Sequence, residues 1–463
     1  MFIESRAGLP NGNKYDVVES ELNYINSKFI SLNYEEKRAT SDFFTEFIPS
    51  FVKGMKAVDK LFDSTFQSIL YAGSYFEGLK VGKPDEYDLD LIFKLPINYD
   101  ELEITSSPER PGYVKIRLSD LEHRRLVKDQ HWNECYRKVM AKWFDDDKFF
   151  LPDKFRFWLQ SVVQKTLNRY ICSNELAVYV STSGPAITLH VLKASTWQRI
   201  EFSVDLVPVL RIYNRHPPPE ICRTHIRDAH ISSGRILSWY VVPKPVKSDY
   251  IYSRVNLNWR LAFHDHERIL ISGNERLKPA LRLLKKFRDS RNFSKIASYY
   301  LKTICLWELD KPENSNIWTW GSLSYVFVHL LKAFYDSLKV GKIPYYWQKE
   351  HNLLSDINQS TIADMSYLLK KIIDKIETDP KLIPQLILST EEYQLYKYEQ
   401  SQRNEIEQSE RCRIEEHFRV NYEHAADSRN ESSLFWRVNV PKFVRATLNL
   451  YFSQQKTHQP IQE

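Results

Sequence analysis

Apolar residues recur at helical spacing over residues 16–70. Phe43, Phe44, Phe47 and Ile48 are followed by Phe51, Met55, Val58, Leu61 and Phe62, which predicts one or two long helices with a break near Pro49. The character changes at residues 71–96, where a Tyr-Ala-Gly-Ser turn leads into Tyr87–Leu95, alternating and rich in strand formers. Residues 100–170 are charged and tryptophan-rich, with helices expected near 131–143 and 153–168. Residues 175–183 and 186–192 read as two strands joined by Ser183-Gly184-Pro185, and Ile200–Leu210 as another. His216-Pro217-Pro218-Pro219 then marks the edge of the strand-rich part. Beyond about residue 250 the spacing is helical. Arg276–Arg291 is amphipathic, with Leu277, Leu281 and Leu284 at i, i+4 and i+7. Thr361-Ile362-Ala363-Asp364 offers a capping-box-like start to a helix that runs to Thr378 and stops before Pro380. Residues 391–463 are polar, with a charged run at 399–417, and the tail after Gln454 is expected to be disordered.

This order of elements predicts a mixed α+β chain of two lobes. Residues 1–220 would form a twisted mixed sheet with a long N-terminal helix, 221–390 a helical bundle, and 391–463 a polar extension. With 463 residues, 43% of them apolar, there is material for two or three cores. The net charge of +6, from 65 basic and 59 acidic side chains, is too small to argue for nucleic acid by itself, so clustering has to carry that argument. Cys135, Cys172, Cys222, Cys305 and Cys412 are far apart, with no C-x-x-C pair. That spacing supports neither a disulfide framework nor a zinc knuckle, and predicts reduced thiols in a cytoplasmic protein without zinc. The N-terminus has no apolar leader core, and no run of about 18 apolar residues predicts a membrane span.

The chemistry concentrates in Gly73-Ser74-Tyr75-Phe76-Glu77-Gly78-Leu79, followed by Pro84-Asp85-Glu86-Tyr87-Asp88-Leu89. Glu86 and Asp88 are two apart on a predicted strand, so both carboxylates share one face. With a third acid from another strand they can hold a pair of Mg²⁺ ions, which neutralise a triphosphate and lower the pKa of an attacking hydroxyl. Glycine in the turn lets the backbone approach phosphate, and Ser74 and nearby N–H groups can bind its oxygens. Asp205, in Phe202-Ser203-Val204-Asp205-Leu206, is a single acid among apolar strand residues, and such a charge needs a partner: a metal, a salt bridge or solvent.

The Gly73-Ser74 turn, the Glu86-Tyr87-Asp88 triplet and the Ser203-Val204-Asp205 strand resemble the nucleotidyltransferase core of cyclic GMP-AMP synthase-like receptors and male-abnormal-domain proteins. Gly184-Pro185-Ala186-Ile187-Thr188-Leu189 is similar to the strand preceding that family's third acid. Tyr240-Val241-Val242-Pro243-Lys244 and Asn258-Trp259-Arg260-Leu261-Ala262-Phe263 resemble its inter-lobe segment, and Lys278 in Arg276-Leu277-Lys278-Pro279 and Ser298-Tyr299-Tyr300-Leu301-Lys302-Thr303 resemble its helical-lobe nucleotide contacts. The likeness covers about residues 40–380. It implies a bilobal nucleotidyltransferase fold with the active site between the lobes. Glu86, Asp88 and Asp205 would be the ligands of two Mg²⁺ (or Mn²⁺) ions, and Gly73 and Ser74 would bind the triphosphate. Arg260 would meet a base or the nascent intermediate, Lys278 a phosphate, and Tyr299 would stack on a base with Ser298 beside it. ATP and GTP would be the substrates and a cyclic dinucleotide the product. Asp90 departs from the family segment, and Asp88/Asp90 fits the same acid–apolar–acid pattern as Glu86/Asp88. The His/Cys₃ zinc ribbon of vertebrate cyclic GMP-AMP synthase is missing, which points to the insect-type branch that senses double-stranded RNA, with dimerisation on the nucleic acid as an option.

A duplex would need basic surface. Lys278, Arg282 and Lys285 fall on one side of the 276–291 helix, with Lys286 adjacent; Arg124, Arg125 and Lys128 add a second group. Since Lys278 would be occupied in the cleft, Arg282, Lys285 and Lys286 are the candidate nucleic-acid contacts, made to phosphates and without base readout.

Overall fold

The structure, a computed structural model, describes residues 13–31, 34–128, 140–170, 175–194, 199–213, 238–245, 256–272, 274 and 276–427. After a short helix α1 (Glu19–Ile25), helix α2 runs from Tyr34 to Val58 without a break at Pro49. A proline inside a helix costs about 3 kcal/mol. Phe47, Ile48, Phe51 and Met55 are buried on both sides of it, and each such side chain returns about 1.5–3 kcal/mol. Packing therefore outweighs the lost hydrogen bond.

Helix α3 (Lys60–Thr65) leads into the sheet strand β1 (Phe66–Ala72), then the four-residue helix α4 (Gly73–Phe76) and β2 (Glu86–Phe93). Strands β3 (Leu102–Ser106) and β4 (Tyr113–Leu118) precede helices α5 (Asp120–Lys128) and α6 (Pro152–Tyr170). Strands β5 (Leu176–Ser183), β6 (Ala186–Ala194), β7 (Arg199–Tyr213), β8 (Ser238–Val242) and β9 (Trp259–Ala262) complete the sheet. Its order is β1-β2-β7-β8-β9-β4-β3, with β6 also paired to β7 and β5 to β6. Long β7 is the hub, parallel to β2 and antiparallel to β6 and β8.

Alternation gives this sheet two unlike faces. Tyr87, Leu89, Leu91 and Phe93 of β2, with Phe202, Val204 and Leu206 of β7, are buried. They meet α2, where Phe44 stacks on Tyr87 at 4.1 Å and Phe43 packs edge-on to Phe202 at 5.8 Å. The opposite face carries Glu86, Asp88, Asp90, Ser203 and Asp205.

Strands β8 and β9 lie in this sheet, so the division expected at residue 220 falls inside the first lobe, which extends to Ala262. Helix α7 (His264–Ile271) then leads to the second lobe: α8 (Leu277–Ser290), α9 (Ser298–Leu309), α10 (Ser315–Trp320), α11 (Leu323–Val340), α12 (Gln359–Thr378) and α13 (Ile383–Ile387). Leu277, Leu281 and Leu284 are fully buried, as the amphipathic spacing requires. Helix α12 starts earlier than expected, because Asn358, not Thr361, is the N-cap and accepts from the Ser360 N–H. The polar extension forms a 38-residue helix, α14 (Thr390–Asp427), whose Arg403 lies over the Tyr24 ring at 3.5 Å. The proline run at 216–219, most of the helix expected near 131–143, and the tail after Gln454 lie outside the described residues. So do Cys135, Cys172 and Cys222, whereas Cys305 is buried and Cys412 exposed, both as free thiols. Among the described residues no helix is long and apolar enough to cross a membrane.

Candidate active site

Strand register builds the acidic centre. Asp88 on β2 is the direct partner of Asp205 on parallel β7, and Glu86 of Ser203, so the three acids share one face. Asp205 Oδ1 accepts from Thr188 Oγ1 at 2.6 Å, from the neighbouring strand β6. Burial, then the charges of Glu86, Asp205 and Asp90, push the Asp88 carboxyl up to about 7. Burial also raises Asp205, with Glu86 adding to the effect. These are carboxylates short of positive charge. Glu86 is engaged by Lys80, at 3.0 Å, and Lys80 also reaches Asp85 at 3.1 Å. Among the described residues, no three His, Cys, Asp or Glu side chains are drawn together closely enough to hold a metal ion as they stand.

The glycine turn sits directly on the acids. Gly73 has φ +75°, and a Cβ there would overlap the Asp88 carboxylate and stand 2.7 Å from Asp88 Cβ. Glycine is required twice, by the left-handed backbone and by the close approach. No side chain caps the start of α4, the turn of helix on which Ser74 lies. Lys278 lies beside Gly78, five residues further on, its Nζ 4.0 Å from where a Gly78 Cβ would be.

Asp90 belongs elsewhere. It is 5% exposed, and its Oδ2 lies 2.9 Å from His264 Nε2. Burial opposes a charge on His264, yet Asp90 holds its pKa above the usual value. Asp88, common to both acid pairs, is opposite Asp205; of the two alternatives beside it, Glu86 is held by Lys80 and Asp90 by His264.

The second lobe supplies the other wall. Tyr299 is half-buried, and its hydroxyl donates to Glu267 Oε1 at 2.7 Å. Burial and Glu267 raise its pKa well above the ordinary tyrosine value. Its ring lies 6.2 Å from Tyr345, and Arg260 is close enough to act electrostatically on both hydroxyls. Ser298 Oγ accepts from Arg288 at 2.8 Å.

The basic stripe on α8 is only partly exposed to solvent. Lys285 is 5% exposed and donates to the Leu79 carbonyl at 2.6 Å, and burial drops its pKa to about 8. Lys286 is paired with Glu392, and Arg282 is half-buried with its Nε inaccessible to solvent. Of the expected duplex-binding residues, then, Lys285 is buried, while Arg282 and Lys286 are part-exposed and Lys286 is engaged by an acid. In the other basic group, Arg125 pairs with Glu122 at 2.6 Å.

Sequence reasoning gave no role to Glu77 and Lys302, although both lie in segments it singled out, and missed Glu267. Lys302 contacts both acids, at 2.8 and 2.9 Å. Its helical offset of three from Tyr299 was the available signal.

Residues 75–273 match the Mab-21 protein nucleotidyltransferase domain, and 276–371 the Mab-21 protein HhH/H2TH-like domain. A cyclic GMP-AMP synthase-like receptor of Ctenocephalides felis is 31% identical over 82% of this chain and 89% of its own length. Receptors of that name from Aethina tumida, at 33%, and Tribolium castaneum, at 31%, match over 82% of this chain and 94% of theirs. With a nucleotidyltransferase domain, a helical partner domain and full-length relatives of one kind, the chain belongs to the cyclic GMP-AMP synthase-like receptors of the Mab-21 superfamily.

Proposed function

We propose that the protein is a cyclic dinucleotide synthase of innate immune signalling, acting in the cytoplasm on ATP and GTP when double-stranded RNA docks on it. One observation carries the reading: Asp88 and Asp205 are paired across β2 and β7 beneath a glycine turn that only a residue without Cβ can make. Glu86, Asp88 and Asp205 would hold two Mg²⁺ (or Mn²⁺) ions. The donor set fits, because hard carboxylate oxygens suit Mg²⁺ and the raised Asp88 pKa marks negative charge that a cation would relieve. When bound, the ions supply charge neutralisation for the triphosphate and a lowered pKa for the attacking hydroxyl.

The chain's own residues orient the reactants. Gly73 and Ser74 bind the triphosphate, and Lys278 adds a positive charge beside Gly78. Tyr299 offers a ring to a base, worth about 1–3 kcal/mol. Arg260 contacts the base or the linear intermediate, and Ser298 lies beside it. In each of two successive steps a ribose hydroxyl forms a bond to an α-phosphorus in line, and the α–β phosphoanhydride breaks to release pyrophosphate. The second step closes the ring.

Relatives named as receptors support a regulated enzyme. Duplex RNA would be read through phosphates and A-form shape, so activity would follow duplex length and not sequence. The test is incubation of the full chain with labelled ATP and GTP, Mg²⁺ and a panel of nucleic acids, with mass analysis of the product. A phosphatase-resistant dinucleotide formed only with duplex RNA is the expected result. A phosphatase-sensitive product would make it a linear oligonucleotide synthetase, and no product under any condition would make it a non-catalytic scaffold. Activation by duplex DNA alone would overturn the RNA assignment.

A further inference from the structure

Lys302 sits on α9, one turn beyond Tyr299, with its side chain 10% exposed. Its Nζ donates to both carboxylate oxygens of Glu77 at 2.8 Å and lies 2.9 Å from Glu267 Oε2. Both acids are themselves buried. Burial opposes every charge in the group, yet Lys302 keeps its pKa above the usual lysine value and Glu267 keeps its own below the usual glutamate value. Buried ion groups of this kind are poor sources of net stability, because desolvation offsets the attraction. This group joins three elements of the cleft: α9, α7 and the segment after α4.

The two acids belong to different parts of the site. Glu77 directly follows α4, and its N–H bonds the Gly73 carbonyl at 3.2 Å, so its side chain is tied to the turn that carries Ser74. Glu267 lies on α7, and its Oε1 accepts from the Tyr299 hydroxyl at 2.7 Å and from Trp347 Nε1 at 3.0 Å. Two other cations grip the flanks of the same turn. Arg268 donates to the Tyr71 carbonyl at 2.5 Å and Lys285 to the Leu79 carbonyl at 2.6 Å. Those grips end on main-chain oxygens, whereas the Lys302 bridge continues to the aromatic ring on the opposite wall.

We propose that Lys302 is a positioning residue: through Glu77 and Glu267 it locks the Gly73–Ser74 turn and the Tyr299 ring into one unit, so that a base on the ring and a triphosphate on the turn are held at a fixed separation. The ammonium touches neither. This rests on the reading of the cleft as a nucleotidyltransferase site.

The test is a double-mutant cycle in the full chain. Glu77→Gln removes one arm of the bridge and leaves Lys302 paired with Glu267. Tyr299→Phe keeps the ring and removes its hydroxyl contact with Glu267. Glu308→Gln is the control, a buried acid in a separate cluster with Asn314 and His329. Each single cleft variant should lower kcat/KM by about tenfold or more, while Glu308→Gln, at a similar loss of Tm, should not. Because both changes act through Lys302, the double variant should lose at least about fivefold less than the product of the two singles. Additive losses, or a Glu77→Gln effect no larger than that of Glu308→Gln, overturn the proposal. The same cycle run on binding of α,β-methylene ATP with Mg²⁺ needs no turnover. If the wild type makes no product, the enzyme reading fails, and the binding cycle still decides: non-additive affinities support the bridge and additive ones overturn it. Absence of analogue binding overturns both.

Discussion

Replacing Gly73 by alanine puts a methyl group where a carboxylate already is. Two costs follow. At φ +75° a non-glycine residue sits in the left-handed region, at roughly 1–2 kcal/mol. The added carbon also stands 2.7 Å from Asp88 Cβ, so turning the Asp88 side chain about χ1 does not clear it and main chain must move. Asp88 is held between β1 and β7, and it moves with Asp205's strand or away from it. A displacement of about 1 Å at a reacting centre costs on the order of 10²-fold in rate. Gly82 separates the two costs, since it has φ +86° and nothing within 4 Å of where its Cβ would be. Gly82→Ala should lose about 1–2 kcal/mol of stability and keep its turnover. Gly73→Ala should lose that and about a hundredfold in kcat/KM. Initial rates of nucleotide incorporation at saturating activator and Mg²⁺, with thermal unfolding on the same preparations, read both. A Gly73→Ala protein that turns over as fast as Gly82→Ala would refute the close-approach argument.

Asp205→Asn should keep the fold and lose the product, and Glu86→Gln and Asp88→Asn should each abolish synthesis. Asp90→Asn, facing His264, should leave measurable activity; a dead Asp90→Asn beside an active Glu86→Gln would reverse the assignment. Asp88 also sets a pH dependence in metal-free protein: burial and its acidic neighbours push its folded pKa up to about 7 from the ordinary 3.8, so the folded state holds the proton longer and stability falls as pH rises between those values. In EDTA, Asp88→Asn should therefore unfold at a higher temperature than wild type at pH 8, with the gap closing below pH 4, and Mg²⁺ should raise the Tm of wild type only. Lys285→Met should lower Tm by withdrawing the donor from the Leu79 carbonyl, yet leave duplex-RNA affinity of the folded fraction unchanged in a mobility-shift assay.

The acidic face was legible because it depends on local periodicity. Alternation places Glu86 with Asp88, and Ser203 with Asp205, before any pairing is known. Strand pattern alone left Asp88/Asp90 open and could not show Asp90's partner His264, more than 170 residues away, or Lys286's partner Glu392 at a separation of 106. The α8 stripe misled for the same reason. A run of cations at helical spacing looks solvated until the loop that covers it is placed, and here residues 78–80 of the other lobe cover Lys285. Pro49 and the β8–β9 pair show tertiary packing overriding local signals, a proline in the first case and a proline-rich boundary in the second.

Parallel pairing of β2 with β7 has a temporal side. Asp88 and Asp205 are 117 residues apart (205 − 88) yet directly opposed. At about 5–20 residues per second of synthesis, β2 leaves the ribosome roughly 6–23 s before its partner exists. During that interval the hairpin with β1 is the pairing open to it, and Leu89, Leu91 and Phe93 lack the β7 half of their core. The acid pair is therefore assembled late, by a long-range closure, and no N-terminal fragment ending before Asp205 can contain it. A nascent chain stalled within that interval would carry the glycine turn and two of the acids but no complete centre, so catalytic competence would arrive with the closure of the sheet and not with the synthesis of the motif.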